Sequence, residues 1–257
     1  MDRKEIVKQV SKEIGYGFFD CLFQKHALES HNYIIPINVM KEVFLWVGDS
    51  RIAGGDWNNL HITKKIPIDN KAIGGTRARE WSKRVCLQLI IDMYPKMILI
   101  GVGGNDVGSG QSFQSIIGDI QKMIFAIKNY CPYTVIFLHC CLPVLVHGKA
   151  TNTEVREFNR QLEILAGCNE IEYIDLFDDF NCLSAQTIQV KNSLLVLHDA
   201  IDIKYVNMEE LPFYARSKDR LPVHLNAHGY YDWYDLLNEF FRFLSVTEGW
   251  REKSGLY

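Results

Sequence analysis

Short apolar runs alternate along the chain with longer segments in which apolar residues recur every three or four positions. The short runs end at glycine, proline or polar residues, which is typical of buried strands, whereas the longer spacing predicts amphipathic helices. The predicted strands are residues 43–47, 60–68, 96–102, 134–139 and 171–175. The predicted helices are residues 2–14, 76–93, 112–129, 152–165 and 226–244.

Strands separated by helices of this length predict a parallel sheet with helices on both faces, and therefore an α/β fold. Residues 176–218 do not follow the alternation, and we interpret them as an insertion near the active face of the domain. Residues 1–40 precede the first core strand and are expected to form an N-terminal extension packed on the main domain, residues 41–257.

Composition and charge narrow the class of protein. The 257 residues are 47% hydrophobic and 23% charged, which suits one globular domain with a large core. A net charge of −3 and a pI near 6.2 do not favour a nucleic-acid partner. Seven cysteines without a Cys-x-x-Cys pair argue against a disulfide scaffold or a thiolate zinc site, so no metal or cofactor is expected. The polar N-terminus and the lack of a membrane-length apolar run predict a cytoplasmic protein.

Residues suited to ester chemistry follow the predicted strands. The first strand ends in Gly48-Asp49-Ser50, and the carboxyl ends of parallel strands are where open α/β sheets carry their sites. A serine nucleophile needs a base and donors for the oxyanion. His224, in the loop before the last helix, is the candidate base. The candidate donors are the backbone N–H groups of Ser50 and Gly75 and the side-chain amide of Asn105.

Four short blocks in this order resemble those of the SGNH (GDSL-type) hydrolases. The blocks are Gly48-Asp49-Ser50, Ile73-Gly74-Gly75, Gly104-Asn105-Asp106 and His224-Leu225-Asn226. Each block alone is weak, but the four occur in the family's order across most of the chain. The resemblance implies a three-layer α/β/α sandwich with a flavodoxin-like parallel sheet, and a serine esterase, thioesterase or lipase-type activity. It also implies the roles given above to the serine, glycine, asparagine and histidine.

One position departs from the family pattern, which usually has an aspartate three residues before the histidine. Here that position is Leu221, and the nearest preceding carboxylate is Asp219. We expect Asp219 to reach His224 through a bulged loop and to complete the catalytic set. The alternative is that a backbone carbonyl orients the imidazole.

These observations predict a serine hydrolase that cleaves an ester through an acyl-enzyme. By analogy with the family, the expected substrate is a short acyl ester, namely an acetyl ester of a carbohydrate. A lysophospholipase or an acyl-thioesterase is the alternative with the same chemistry. A carbohydrate- or partner-binding module with impaired turnover, through the change at Leu221, is the alternative of another class.

Overall fold

A computed structural model describes residues 40–58, 60, 62, 65–145, 150–190, 193–210 and 222–246. The strands are β1 (Lys41–Gly48), β2 (Ile68–Asn70), β3 (Pro95–Gly101), β4 (Val135–His139), β5 (Glu172–Ile174), β6 (Asn181–Cys182), β7 (Gln186–Val190), β8 (Ser193–Leu197) and β9 (Ala200–Ile201). The helices are α1 (Ser50–Ala53), α2 (Ala78–Trp81), α3 (Arg84–Met93), α4 (Gly104–Gly108), α5 (Phe113–Tyr130), α6 (Asn152–Cys168), α7 (Phe177–Phe180) and α8 (Ala227–Val246). Two 3₁₀ turns, Ile203–Tyr205 and Met208–Glu210, precede α8.

The central sheet has five strands in the order β2-β1-β3-β4-β5, and every neighbouring pair is parallel. This order is that of the flavodoxin-like sheet, in which the chain switches direction beside β1 and leaves a crevice at the carboxyl ends of the strands. The structure confirms the predicted α/β class. It also places the ends of β1 and β3 side by side, because Gly48 is in register with Gly101.

Strand β1 is buried on both of its faces. Phe44 and Trp46 are fully buried, and the ring of Phe44 contacts Phe241 of α8 at 5.5 Å. Leu45 and Val47 alternate with these residues along the strand, point to the opposite face, and are also fully buried. Burial on both faces explains why the core strands are continuous apolar runs rather than alternating ones.

Two predicted elements differ from the structure. The strand predicted over 60–68 is wrong for the residues of this range that the structure describes (60, 62 and 65–68), because they form turns and strand β2 begins only at Ile68. Leu60 and Ile66 are buried from turns, so their spacing imitates a strand without pairing. The single helix predicted over 76–93 is broken into α2 and α3. The hydroxyl of Ser82, which follows α2, donates to the carbonyl of Arg79 and closes its last turn.

The segment predicted as an insertion folds as small pieces outside the main sheet. It contains α7, the β6–β9 pair, the β7–β8 hairpin and the two 3₁₀ turns. The amide of Gln186 at the base of the hairpin donates to the carbonyl of Ile201 and accepts from the N–H of Ile203. These bonds attach the hairpin to the turns that lead toward His224.

The predicted helix over 2–14 and the N-terminal extension lie outside the described residues. In the part of the chain that the structure describes, no helix is long and apolar enough to cross a membrane. The parts of the fold that matter for function are the carboxyl edge of the sheet and the insertion beside it.

Candidate active site

Ser50 stands two residues after the end of strand β1, at the first position of the short helix α1. Asp49 caps this helix, because its carboxylate accepts the N–H of Arg51 at 3.0 Å. Desolvation raises the pKa of Asp49, opposed by the hydrogen bond and the charge of Arg51. The N–H of Asp49 donates to the carbonyl of Gly101 on β3, which fixes the turn to the sheet. The nucleophile predicted from the sequence is thus mounted on rigid backbone.

His224 lies beside this serine, as the sequence analysis expects. Its Nε2 is 2.9 Å from Oγ of Ser50, although 174 residues separate the two positions. The imidazole is about 30% exposed, so a substrate can approach it from solvent. The pair has the geometry that a general base needs to accept a serine proton.

The other imidazole nitrogen is bound by Glu210, a residue that the sequence analysis missed. Nδ1 of His224 lies 2.9 Å from Oε1 and 3.1 Å from Oε2 of this carboxylate. An ionised carboxylate only accepts, so Nδ1 carries the proton and Nε2 is left to accept from Ser50. Asp219, which we expected in this role, lies outside the described residues. In the part of the chain that the structure describes, the carboxylate bonded to Nδ1 of His224 is that of Glu210.

Backbone pairing explains how Glu210 reaches a histidine fourteen residues later in the chain. Val206 forms an antiparallel bridge with Leu225, and the N–H of Asn207 donates to the carbonyl of His224 at 2.9 Å. The side chain of Asn207 accepts from the N–H of Glu209 and starts the 3₁₀ turn that ends at Glu210. No linear spacing in the sequence carries this signal, because residues 211–221 intervene between acid and base.

A tight turn over residues 73–76 approaches the serine from the other side. Gly75 has φ +77°, the value required at the third position of a type II turn and accessible to glycine without strain. A Cβ on Gly74 would lie 3.6 Å from Cβ of Ser50, so the turn passes close to the nucleophile. The N–H of Ile73 and the hydroxyl of Thr76 both donate to the carbonyl of Gly48. The turn is therefore tied to the strand that bears Ser50.

Asn105 stands at the start of α4, after β3, where the sequence analysis placed an oxyanion donor. Its side-chain amide donates to the carbonyl of Thr76 at 2.9 Å, which links it to the same turn. Asp106 beside it is fully buried and accepts the N–H of Ala78 with Oδ2, while Oδ1 has no partner among the described residues. Burial raises the pKa of Asp106 to about 6. Asp106 supports the loop rather than facing the serine.

A cavity of about 50 Å³ adjoins Ser50 and Asn105. Its other walls are mostly apolar and include Ile52, Val144 and Val155. His139 also lines it, but Nε2 accepts from the indole N–H of Trp233 and Nδ1 donates to a carbonyl. Burial lowers the pKa of His139 to about 4, so this imidazole is neutral and structural.

No group of three or more histidine, cysteine or carboxylate side chains is placed to hold a metal ion within the described ranges. The fold brings Ser50, His224, Glu210, Gly75 and Asn105 to one edge of the sheet.

Comparison with known families shows which family the chain belongs to. The model of the GDSL-like lipase/acylhydrolase family matches residues 47–231, most of the chain. The chain belongs to this family. It is accordingly an ester hydrolase, and the four blocks noted in the sequence are its family signature.

Solved structures of GDSL-type proteins have the same fold. A GDSL-like lipase from Bacteroides thetaiotaomicron matches with a TM-score of 0.56 and 18% identity, over 86% of this chain and 97% of that one. A protein from Bacteroides fragilis, provisionally named an acylhydrolase, matches with a TM-score of 0.57 and 18% identity, over 86% and 96%. At this identity the likeness is one of fold. No curated protein sequence matches the chain.

Proposed function

We propose that this GDSL-family hydrolase cleaves short acyl esters through an acyl-enzyme on Ser50, and that its substrate is an acetyl ester of a carbohydrate. The observation that carries the proposal is the continuous hydrogen-bonded chain from Ser50 through His224 to Glu210. Two links of that chain have distances of 2.9 Å, within the range for proton transfer.

The proposed reaction has two halves. Oγ of Ser50 attacks the ester carbonyl while Nε2 of His224 takes its proton, and the Glu210 carboxylate stabilises the imidazolium that forms. The tetrahedral intermediate then expels the alcohol, which receives the proton from Nε2. In the second half a water molecule attacks the acyl-serine by the same route, releasing the carboxylic acid and restoring Ser50.

The proposed oxyanion donors are the N–H groups of Ser50 and Gly75 and the amide of Asn105. The turn that holds Gly75 and the amide of Asn105 are joined through the carbonyl of Thr76. Because these donors belong to a pre-assembled network, they need little rearrangement when negative charge develops, and that is the condition for strong electrostatic stabilisation.

The cavity beside Ser50 supports a short acyl group. One water needs roughly 10–15 Å³ of such space, so a cavity of about 50 Å³ has room for only a few heavy atoms. An acetyl group fits that volume, and apolar walls suit its methyl. The proposal that a carbohydrate forms the alcohol part of the ester rests on the family resemblance.

One observation favours a second candidate, a lipid ester. The outward side of the β7–β8 hairpin exposes Leu194 and Val196, at 75% and 51%, and Leu183 nearby is 84% exposed. Exposed apolar side chains of this size suit contact with acyl chains. The contact between Glu210 and His224 supports turnover over the alternative of a binding module with impaired turnover, because it supplies the imidazole with a carboxylate despite Leu221.

A p-nitrophenyl ester series tests the proposal. Acetate should be hydrolysed faster than butyrate, and octanoate hardly at all, while a peracetylated sugar should release acetate. Ser50→Ala should remain folded, lose about three orders of magnitude or more in kcat, and escape labelling by a fluorophosphonate probe. A preference for octanoate or a lysophospholipid would select the second candidate. No turnover and no labelling would overturn the hydrolase mechanism.

A further inference from the structure

We propose that Arg51 is a positioning residue that holds His224 in reach of Ser50 and so determines kcat. The inference rests on the proposed function, since it concerns the same serine and histidine. Arg51 directly follows Gly48-Asp49-Ser50, where the Gly-Asp-Ser-Leu motif of the family's name has leucine, and the mechanism above does not use it.

The guanidinium of Arg51 donates to three backbone carbonyls from two separate segments. Nε donates to Val223 at 2.9 Å, and Nη1 and Nη2 donate to Leu142 and Pro143 at 3.0 Å each. The planar guanidinium presents its donors in a fixed fork, so three simultaneous bonds define the relative position of the segments. Arg51 thereby joins the nucleophile helix α1, the segment after β4 and the segment that carries the base.

The hydrogen bond from Arg51 to Val223 lies beside the hydrogen bond between Ser50 and His224. Arg51 is the residue after Ser50, and Val223 is the residue before His224, so adjacent positions of the two segments are linked twice. On its other side the base segment is held by backbone pairing, through the Val206–Leu225 bridge. The histidine is therefore clamped between the segment that supplies its acid and the segment that supplies its nucleophile.

Loss of the guanidinium would release one side of this clamp. Methionine has a similar length but no donor, and lysine has a single ammonium that cannot serve three carbonyls in the same geometry. The base segment would keep its pairing with residues 205–207 but lose its direct backbone tie to α1. A displacement of about 1 Å at a reacting pair can reduce the rate by about 10²-fold.

The first test compares Arg51→Met and Arg51→Lys with wild type, using p-nitrophenyl acetate. We expect Arg51→Met to lower kcat by about 10–100-fold with KM within about threefold, and Arg51→Lys to recover part of the loss. Lys96→Met is the matched control. Lys96 is also a largely buried cation, paired with Glu42, but it lies at the opposite end of β3. Its replacement should leave kcat of the folded protein unchanged.

A double-mutant cycle with His224→Ala separates positioning from general stability. If Arg51 acts through His224, adding Arg51→Met to the His224→Ala variant should lower the residual kcat/KM of that variant by less than about threefold. Equal costs in both backgrounds would overturn the inference, as would wild-type kcat in folded Arg51→Met. The rate of fluorophosphonate labelling gives a second readout if Arg51→Met is poorly folded and only Arg51→Lys is usable, since labelling also needs the base. A wild-type protein that neither turns over nor labels would instead overturn the proposed function, and this inference with it.

Discussion

Glu210 binds His224 through both carboxylate oxygens, at 2.9 and 3.1 Å from Nδ1. Glu210 belongs to a 3₁₀ turn of the insertion, and the histidine precedes the last helix. The side chain of Glu210 is about 25% exposed, so it is partly shielded from water while it holds the imidazole. Such a carboxylate selects the tautomer in which Nε2 can accept a proton, and it stabilises the cation that follows.

Replacing Glu210 by glutamine should therefore reduce kcat sharply, by up to about 10⁴-fold, because the amide can stabilise the wrong tautomer. KM for p-nitrophenyl acetate should change little. Asp219→Asn is the matched control, since it removes the carboxylate that was expected from the sequence to orient His224, and we expect activity within a few-fold of wild type. Steady-state kinetics of both variants show which carboxylate acts on His224. Loss of activity in Asp219→Asn alone would return the role to Asp219.

Asn105→Ala should lower kcat by about 10²–10³-fold, because one oxyanion donor is lost, while KM stays close to wild type. Asn129 offers a control, since its amide also donates to a backbone carbonyl, that of Phe125, but on the surface of α5. Asn129→Ala should leave both constants unchanged. A large rise in KM with an intact kcat in Asn105→Ala would mean that Asn105 positions substrate instead.

Gly75→Ala should both destabilise the protein and lower kcat. A Cβ on Gly75 meets no atom within 4 Å, so the cost comes from φ +77°, about 1–2 kcal/mol for a residue with a side chain. Gly118, inside α5, also has open space around its Cβ position but helical backbone. Gly118→Ala should raise the unfolding free energy by about 0.5–1 kcal/mol. Urea unfolding of the two variants measures the contrast, and equal shifts would exclude a conformational cost at Gly75.

Asp106 should make the stability of the protein depend on pH. Its folded pKa of about 6 lies above the unfolded value near 3.8, so between these values the folded state holds a proton that the unfolded state releases. The contribution of Asp106 is fully present below pH 3.8 and is lost as pH rises toward 6. Asp106→Asn does not titrate, so its Tm relative to wild type should rise between pH 4 and pH 7. Thermal melts at both values test this, and a constant difference would contradict it.

The sheet and three of the site residues could be predicted from the sequence because each depends on local pattern. Apolar runs locate β1 and β3, and the residues that follow them include Ser50 and Asn105. His224 was found because it stands directly before a long amphipathic helix. Short-range chemistry was sufficient for all three positions.

Glu210 and Arg51 could not be found in this way. Glu210 reaches the histidine through the Val206–Leu225 bridge, a pairing of two residues with no distinctive sequence. Arg51 acts on carbonyl oxygens, which every residue possesses, so no side chain marks its partners. The false strand at 60–68 has a related cause, since buried turns place apolar residues at the same spacing as a strand.

The antiparallel bridge between Val206 and Leu225 also has a consequence for biosynthesis. Ser50 leaves the ribosome early, and its partner His224 follows 174 residues later. The acid and the base dock together, because one backbone ladder holds both. Under the proposed mechanism Ser50 has no base until that ladder has formed, so we expect a chain that ends before His224 not to hydrolyse esters.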